Sequence, residues 1–512
     1  MELFKHQVEG IEFLKGKNPI GGRSFILADK MGLGKTRQSI IAVKEGGSLG
    51  TLIVCPASLK INWQREIEMV YPGDEIRIMK SGEMPIDGKW FIVNYDIIEK
   101  KMPELISLIE QGLINSLILD EAQYIKGESL RSKAIIGGKK KKKSGEVVKF
   151  DGLAKFMDVV LPLTGTPIMN RPIELYPILK AIGHPLGKSK IAFAKQFCEM
   201  FWMYRIRSKN TGRSFVTTEG KYYQFYSMKP EFEIINRWPD YSGATNLDEL
   251  RRQLKGWIIM RKKEDVLDLP EKIISIRESV MDKEWRKEYE NAWENYLSFR
   301  EQNPIEGWDK DNVIMAKHLV EIGKLKQVCS LSKIENITND IVDAVDQGEK
   351  VIVFSQYTKT IDAICDKMQE MGIGVTALTG SCDMVYRQAS VDSFQNDESV
   401  KVFVANIKAG GVGINLTAGS IVIFADMEWS PEIHKQAEDR AHRIGQKGTV
   451  NVYYYVVPET IEDDIIDILN KKKNIADQIL EGNKRRLSKT SVGSEFLKRM
   501  MAGEKKLDIT ND

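Results

Sequence analysis

Eight consecutive residues, Asp29-Lys30-Met31-Gly32-Leu33-Gly34-Lys35-Thr36, follow a short apolar run and lead into an amphipathic stretch that starts near Lys35. A glycine-rich turn at such a junction lets backbone N–H groups wrap a pyrophosphate at a helix N-terminus. Lys35 would then reach the β- and γ-phosphates, and the Thr36 hydroxyl would ligate Mg²⁺. The simplest form of the motif has glycine where this chain has Asp29, so it fails by one residue. The competing reading is a glycine-rich loop before an ordinary amphipathic helix.

A second group is Leu117-Ile118-Leu119-Asp120-Glu121-Ala122-Gln123, an acidic pair ending a buried run. There Asp120 would hold Mg²⁺, directly or through water, and Glu121 would orient and deprotonate an attacking water. Alone, this is also what an exposed turn after a strand looks like. The upstream Lys35 loop favours the chemical reading. Transfer of a γ-phosphoryl group spreads charge that cations stabilise. Gln436, Arg440 and Arg443 are spaced about one turn apart, which predicts one helix face. The competing reading is a solvated, salt-bridged helix.

Buried strands and helices must position these groups. The spacing predicts strands over 24–28, 51–55, 90–94, 116–120 and 159–163, then over 351–355, 375–378, 400–406, 420–425 and 450–457. Helical periods separate most of them, as in parallel sheets covered on both faces. Residues 173–347 read as a mainly helical insertion, with helices over 247–255 and 283–300 and no assignment for 205–240. The fold class is α/β, with two parallel-sheet layers and that insertion. No repeat of 20–50 residues is present.

Composition narrows the classes. The 512 residues are 42% hydrophobic and 29% charged, with 75 Lys+Arg against 72 Asp+Glu, a net charge of +3. That is an ordinary globular balance, and it excludes disordered and collagen-like chains. Five scattered cysteines without a C-x-x-C pair argue against a disulfide framework and a zinc ribbon. No run reaches a membrane span, and the N-terminus lacks the order of a signal peptide. His434 and His442 have no metal-ligand spacing. The Lys139–Lys143 run reads equally as a phosphate contact or as a solvated loop.

Taken together these segments resemble the Swi/Snf-type ATPases of helicase superfamily 2, DNA translocases with two RecA-like lobes. In order, Leu3 to Gln7 resembles the adenine-reading segment and Asp29 to Thr36 the family's phosphate loop, which tolerates Asp at its start. Cys55-Pro56-Ala57-Ser58-Leu59 with Trp63, and Asn94-Tyr95-Asp96, resemble first-lobe segments that touch DNA. Asp120 to Gln123 resembles the Asp-Glu box. Leu163-Thr164-Gly165-Thr166-Pro167 with Asn170 resembles the segment coupling hydrolysis to lobe movement. Arg261 to Val266 and Leu269 to Lys272 resemble the strut between lobes. Val353 to Gln356, Leu378 to Gly380, Ala409 to Leu416, Asp426, Trp429 and His442-Arg443-Ile444-Gly445-Gln446 resemble second-lobe motifs. Thr460 to Glu462 resembles the start of a bracing helix. Gly243 to Leu250 resembles a segment of annealing-helicase and fork-remodelling members.

The resemblance implies RecA-like lobe 1 over 1–180, a helical insertion and strut over 181–325, lobe 2 over 326–480 and a bracing or tail segment over 481–512. It implies ATP and Mg²⁺ as cofactors. Lys35, Asp120, Glu121, Gln436, Arg440 and Arg443 would be catalytic. Gln7, Asp29, Lys30, Met31, Gly32, Leu33, Gly34, Lys35, Thr36 and Gly413 would hold nucleotide, and Thr36 and Asp120 would hold the metal. Ser58, Asn94, Tyr95, Ser355, Gln356, Thr379 and Gly410 would contact DNA. The implied activity is a DNA-stimulated motor on double-stranded DNA, forked and single-stranded DNA being further candidate substrates. A strand-separating DNA or RNA helicase and a nucleic-acid-binding scaffold with weak ATPase are the alternatives. A stand-alone monomeric core is expected, intracellular, cytoplasmic or nucleoid-associated, free of membrane, with protein partners unknown. Three features depart from the family. Gln123 stands where His is commoner, Lys30 stands where Glu is usual, and residues 137–151 look inserted.

Overall fold

Continuous apolar runs such as Leu52-Ile53-Val54 and Ile352-Val353-Phe354 cannot alternate one face to water, so they form strands buried on both sides. A computed structural model shows where they assemble. It describes residues 3–80, 88–141, 146–165, 167, 171–212, 214–218, 232–241, 243–303, 312–380, 382–410, 414–467 and 469. The chain divides into two compact units, Met1–Val266 and Leu267–Asp512.

In the first unit, the strands are β1 (Ile26–Leu27), β2 (Thr51–Cys55), β3 (Ile76–Ile78), β4 (Trp90–Asn94), β5 (Ser116–Leu119), β6 (Gly138–Lys141), β7 (Val147–Phe150), β8 (Val159–Pro162), β9 (Phe201–Ser208), β10 (Ser214–Thr218), β11 (Phe232–Asp240) and β12 (Ile258–Ile259). The main sheet is parallel in the order β3-β4-β2-β5-β8. A parallel bridge between Leu27 and Leu163 sets β1 beside β8, and β12 pairs in parallel on β1. Helices α1 (Lys5–Lys15), α2 (Lys35–Glu45) and α3 (Lys60–Val70) follow or flank these strands. The chain thus returns at β12 to the strand that opens the phosphate loop.

The described part of residues 205–240, left unassigned above, lies largely in a three-stranded antiparallel sheet, β10-β9-β11, whose first strand begins at Phe201. Its period is two: Tyr204, Ile206 and Ser208 are buried, while Arg205 and Arg207 between them are exposed. The flanking aromatics and charges mask that short alternation when the segment is read for helical period.

The second unit holds β13 (Lys272–Glu278), β14 (Val351–Ser355), β15 (Gly374–Leu378), β16 (Val400–Asn406), β17 (Ile421–Phe424) and β18 (Val450–Val456) in one parallel sheet, ordered β13-β18-β17-β14-β16-β15. Its helices include Lys283–Gln302, Ile334–Asp346, Thr358–Glu370 and Pro431–Ala441. The architecture is two parallel-sheet α/β lobes of RecA-like kind with largely helical additions. Among the described residues no helix is long and apolar enough to cross a membrane. The expected tail over 481–512 lies outside them.

The second unit is cross-braced by a buried ion pair. Lys333 Nζ donates to Glu462 Oε1 and Oε2 at 2.7 and 2.9 Å and to the Tyr455 carbonyl at 3.0 Å. The two side chains are 0% and 1% exposed. Removing one member of such a pair leaves a bare charge in the core, whereas removing both does not. Lys333→Met is therefore expected to cost about 3–5 kcal/mol and the double variant Lys333→Met/Glu462→Leu clearly less, as read by urea unfolding.

Candidate active site

The phosphate loop begins where β1 ends. Gly32 and Gly34 have φ of +84° and +76°, a left-handed backbone that favours glycine. At Gly34 space forbids a side chain as well, since a Cβ would lie 2.2 Å from Gln7 Nε2. The Leu33 carbonyl between them is turned into the protein. It accepts from Gln38 Nε2 at 3.0 Å and from Gln7 Nε2 at 3.4 Å, and it lies 3.1 Å from His6 Nε2. Gln7 thus braces the loop. Its Oε1 accepts from the Phe4 N–H at 3.1 Å.

Asp29 is fully buried and anchors the loop from the other side. Its Oδ1 accepts from the Arg261 backbone N–H at 3.1 Å and from Arg261 Nε at 2.9 Å. Its Oδ2 accepts from Arg261 Nη2 at 2.5 Å and from Gln38 Nε2 at 3.2 Å. The guanidinium also donates to Gln38 Oε1 and to the His6 carbonyl. A forked guanidinium on a carboxylate fixes both position and orientation. Here it ties α1, the loop, α2 and β12 into one buried network. The backbone joins in, since Ala28 N–H donates to Ile259 and Lys30 N–H to Arg261. Lys35 Nζ donates to the Asp29 carbonyl at 2.8 Å. Lys30, Met31 and Thr36 are half-buried along the loop.

Asp120 and Glu121 follow β5, which lies across β8 from β1. Glu121 adopts φ +50°, sparsely populated for this residue, and such strain gathers at functional turns. The Asp120 carboxylate accepts from Trp63 Nε1 at 2.7 Å and from the Glu121 N–H at 3.0 Å. Burial, and next the charge of Glu121, push its carboxyl up to about 7 against the pull of Trp63 and Lys35. Gln123 Nε2 donates to Glu121 Oε2 at 2.6 Å, and Gln123 Oε1 accepts from Thr164 Oγ1 at 2.8 Å. One amide therefore links the acidic turn to the segment after β8. Gly165 closes on the loop there, its Cβ position 3.2 Å from Met31 Cγ and 3.8 Å from Lys35 Nζ. Thr166 and Asn170 lie outside the described residues.

Several residues expected to contact nucleic acid have internal partners. Tyr95 is buried, stacks on Tyr124 at 5.3 Å and donates its hydroxyl to the Asp120 carbonyl at 2.8 Å. Asn94 is buried and accepts from Lys60 Nζ at 3.1 Å. Ser355 is buried, and its Oγ donates to Asp426 at 2.5 Å. Gln356 gives its backbone N–H and its amide to the same carboxylate and to the Met427 carbonyl. These four side chains build the ends of strands, where polar residues satisfy buried groups. Ser58 and Thr379 are half-buried and Gly410 is buried. Gly413 lies outside the described residues.

The arginine helix is shorter than its spacing suggested. It runs Pro431–Ala441, so Gln436 and Arg440 are helical while Arg443 sits in the following turn, donating to the Ile414 carbonyl at 3.4 Å. Gly445, at φ +100°, lies in the same turn. His434 is buried; its Nε2 accepts from the Glu428 N–H, and burial lowers its pKa to about 3, so it is neutral. Among the described residues no group of three His, Cys, Asp or Glu side chains is placed to hold a metal. Sequence reasoning missed the roles of Arg261 and Trp63, because each acts on a carboxylate far away in the chain, and also that of Gln38. The signal for Gln38 is local: it lies four residues after Gly34, one turn into α2.

Residues 6–334 match the SNF2-related domain and residues 332–445 the helicase conserved C-terminal domain. The chain belongs to the SNF2-related family. Curated relatives of this SNF2-related chain include an uncharacterized ATP-dependent helicase of Mycoplasma pneumoniae, 30% identical over 93% of this chain and 42% of that protein. A Caenorhabditis elegans homolog of SWI/SNF-related matrix-associated actin-dependent regulator of chromatin subfamily A-like protein 1 is 28% identical over 93% and 62%. Human DNA annealing helicase and endonuclease ZRANB3 is 27% identical over 95% and 41%. The chain thus spans about two-fifths to three-fifths of the length of these relatives. Among solved structures, the Sulfolobus solfataricus SWI2/SNF2 ATPase core in complex with dsDNA aligns at TM-score 0.38 and 24% identity, covering 94% of both chains.

The raised carboxyl of Asp120 has a thermodynamic consequence. The folded state keeps a proton that the unfolded state has released between the ordinary carboxylate range and about pH 7. This contribution therefore stabilises the fold at acid pH and is lost as pH rises through that window. Asp120→Asn is expected to flatten the fall in unfolding free energy between pH 4.5 and pH 7.5, measured by urea titration at each pH.

Proposed function

We propose that this chain is an ATP-hydrolysing motor, stimulated by DNA, that translocates on double-stranded DNA and remodels DNA or protein–DNA complexes. The observation that carries this reading is the bridge Glu121–Gln123–Thr164, which joins the acidic turn to the segment lying on the Lys35 loop. A static nucleotide pocket does not need that link. A machine that converts hydrolysis into movement does. Family membership and relatives named as helicases support the same reading.

In this reading Lys35 leaves the Asp29 carbonyl for the β- and γ-phosphates, while the left-handed turn at Gly32 and Gly34 aims N–H groups at them. Glu121, oriented by the Gln123 amide, takes the proton of the attacking water. Asp120 and the Thr36 hydroxyl are the proposed Mg²⁺ ligands. The donor set fits, because a buried carboxylate that burial disfavours in its charged form gains most from an arriving cation. When bound, Mg²⁺ would neutralise charge developing on the phosphates. Gln436, Arg440 and Arg443 of the second unit are the further residues proposed as catalytic. Ser58, Thr379 and Gly410 are the proposed contacts to DNA phosphates, which carry no sequence information. The motor works inside the cell as a monomer with partner proteins yet to be defined.

The deciding measurement is ATP turnover with duplex DNA, single-stranded DNA, RNA and no nucleic acid. Duplex DNA is expected to stimulate most, and Glu121→Gln to lower turnover by about 10²–10⁴, the usual worth of a general base. No stimulation by any polymer, or full turnover in Glu121→Gln, would overturn the reading. Stimulation by RNA alone, with unwinding of a forked substrate, would favour a strand-separating helicase. Trp63→Phe removes a donor that favours ionised Asp120. The acid limb of its pH–rate profile should move to higher pH than in the unchanged chain.

A further inference from the structure

Between the acidic turn and β8 the chain makes an excursion that hydrolysis does not use. β6 and β7 form an antiparallel ribbon with Gly138 opposite Phe150, Lys139 opposite Lys149, Lys140 opposite Val148 and Lys141 opposite Val147. Its base is a close backbone crossing. A Cβ on Gly152 would lie 2.2 Å from the Gly137 N and 2.3 Å from the Ile135 O, and one on Gly137 would lie 2.5 Å from the Phe150 O. Any larger residue at either position would open the stem. The ribbon springs from helix Leu130–Ile136, capped by the Ser129 hydroxyl. That helix is tied to the turn after Asp120 and Glu121 by Ser132 Oγ donating to the Ile125 carbonyl at 2.8 Å.

This mount carries lysines on both of its strands. Lys139 and Lys149 are exposed and directly opposite, an arrangement that destabilises an antiparallel pair. Asp151, at the stem, is paired with Lys155 at 2.6 Å. Lys133 adds a further cation at the base, its Cγ 3.0 Å from where a Gly138 Cβ would stand. A lysine run that only kept a loop solvated would need neither the glycine crossing nor the cross-strand register. A two-stranded ribbon of this kind is an element that the major groove of duplex DNA admits, and lysines bind its phosphates without reading sequence.

We propose that the β6–β7 ribbon is a phosphate-binding arm for duplex DNA, distinct from the nucleotide site and fixed to the acidic turn. This rests on the reading of the chain as a DNA motor. The test is Lys133→Gln/Lys139→Gln/Lys149→Gln in the full chain, with duplex affinity measured by fluorescence anisotropy from 50 to 200 mM salt. Each lost phosphate contact lowers the salt slope by about 0.9, so the slope should fall by about 2–3 and binding at 0.1 M salt should weaken tenfold or more. Turnover without DNA should be unchanged, and the melting temperature unchanged or higher. An unaltered slope and affinity would overturn the proposal. So would an equal loss in the control variant Lys283→Gln/Lys287→Gln/Lys324→Gln, or a loss seen with duplex RNA and not with duplex DNA. An unchanged chain that binds no duplex and shows no stimulated turnover would instead remove the motor reading, and the arm with it.

Discussion

A carboxylate with no solvent exposure is stable only where cations and donors meet it, and Asp29 has its partners from opposite ends of the first unit. Arg261 reaches it with three nitrogens, one of them backbone, and Gln38 with a fourth. The same guanidinium holds the carbonyl of His6. The loop, the helix that follows it, the first helix of the chain and the strand β12 are therefore placed by one ionic cluster. The loop's left-handed turns at Gly32 and Gly34, its inward Leu33 carbonyl and the resting position of Lys35 all follow from that placement.

The first unit contains a second buried acid, and the contrast explains the division of labour. Asp29 has a guanidinium as its partner. Asp120 has an indole N–H and a backbone N–H, with the charge of Lys35 favouring its ionised form and that of Glu121 opposing it. One cluster is electrostatically complete in the chain as it stands. In the other, burial and Glu121 disfavour the charged carboxylate, so an arriving cation would gain most there. Gln123 shows how a departure from the commoner family residue is accommodated. An amide carries a donor and an acceptor, so one side chain holds Glu121 and Thr164 together.

Much of this was legible beforehand. The buried strands were marked by continuous apolar runs, and all ten expected segments contain observed strands within a residue or two of the expected limits. The loop and the acidic turn were legible because their chemistry is contiguous in sequence. The antiparallel sheet of residues 201–240 was not, because a short period-two pattern was buried among aromatics and charges. Nor was the spending of Tyr95, Asn94, Ser355 and Gln356 on internal hydrogen bonds. A polar residue after a strand looks the same whether it faces a ligand or closes a strand end, and only burial separates the two cases.

By itself the sequence determined the fold class and the family resemblance, and it named the candidate groups for binding and hydrolysing a nucleotide. Each of these depends on residue type and local spacing, through hydrophobic period, glycine-permitted turns and acid pairs. The tertiary structure alone decided which cation meets which carboxylate. It placed Arg261 on Asp29 and Trp63 on Asp120, put Arg443 beyond its helix and set Lys139 against Lys149 across a ribbon. Such pairings are fixed by strand order and register, which bring together residues far apart in the chain, and no local pattern encodes them.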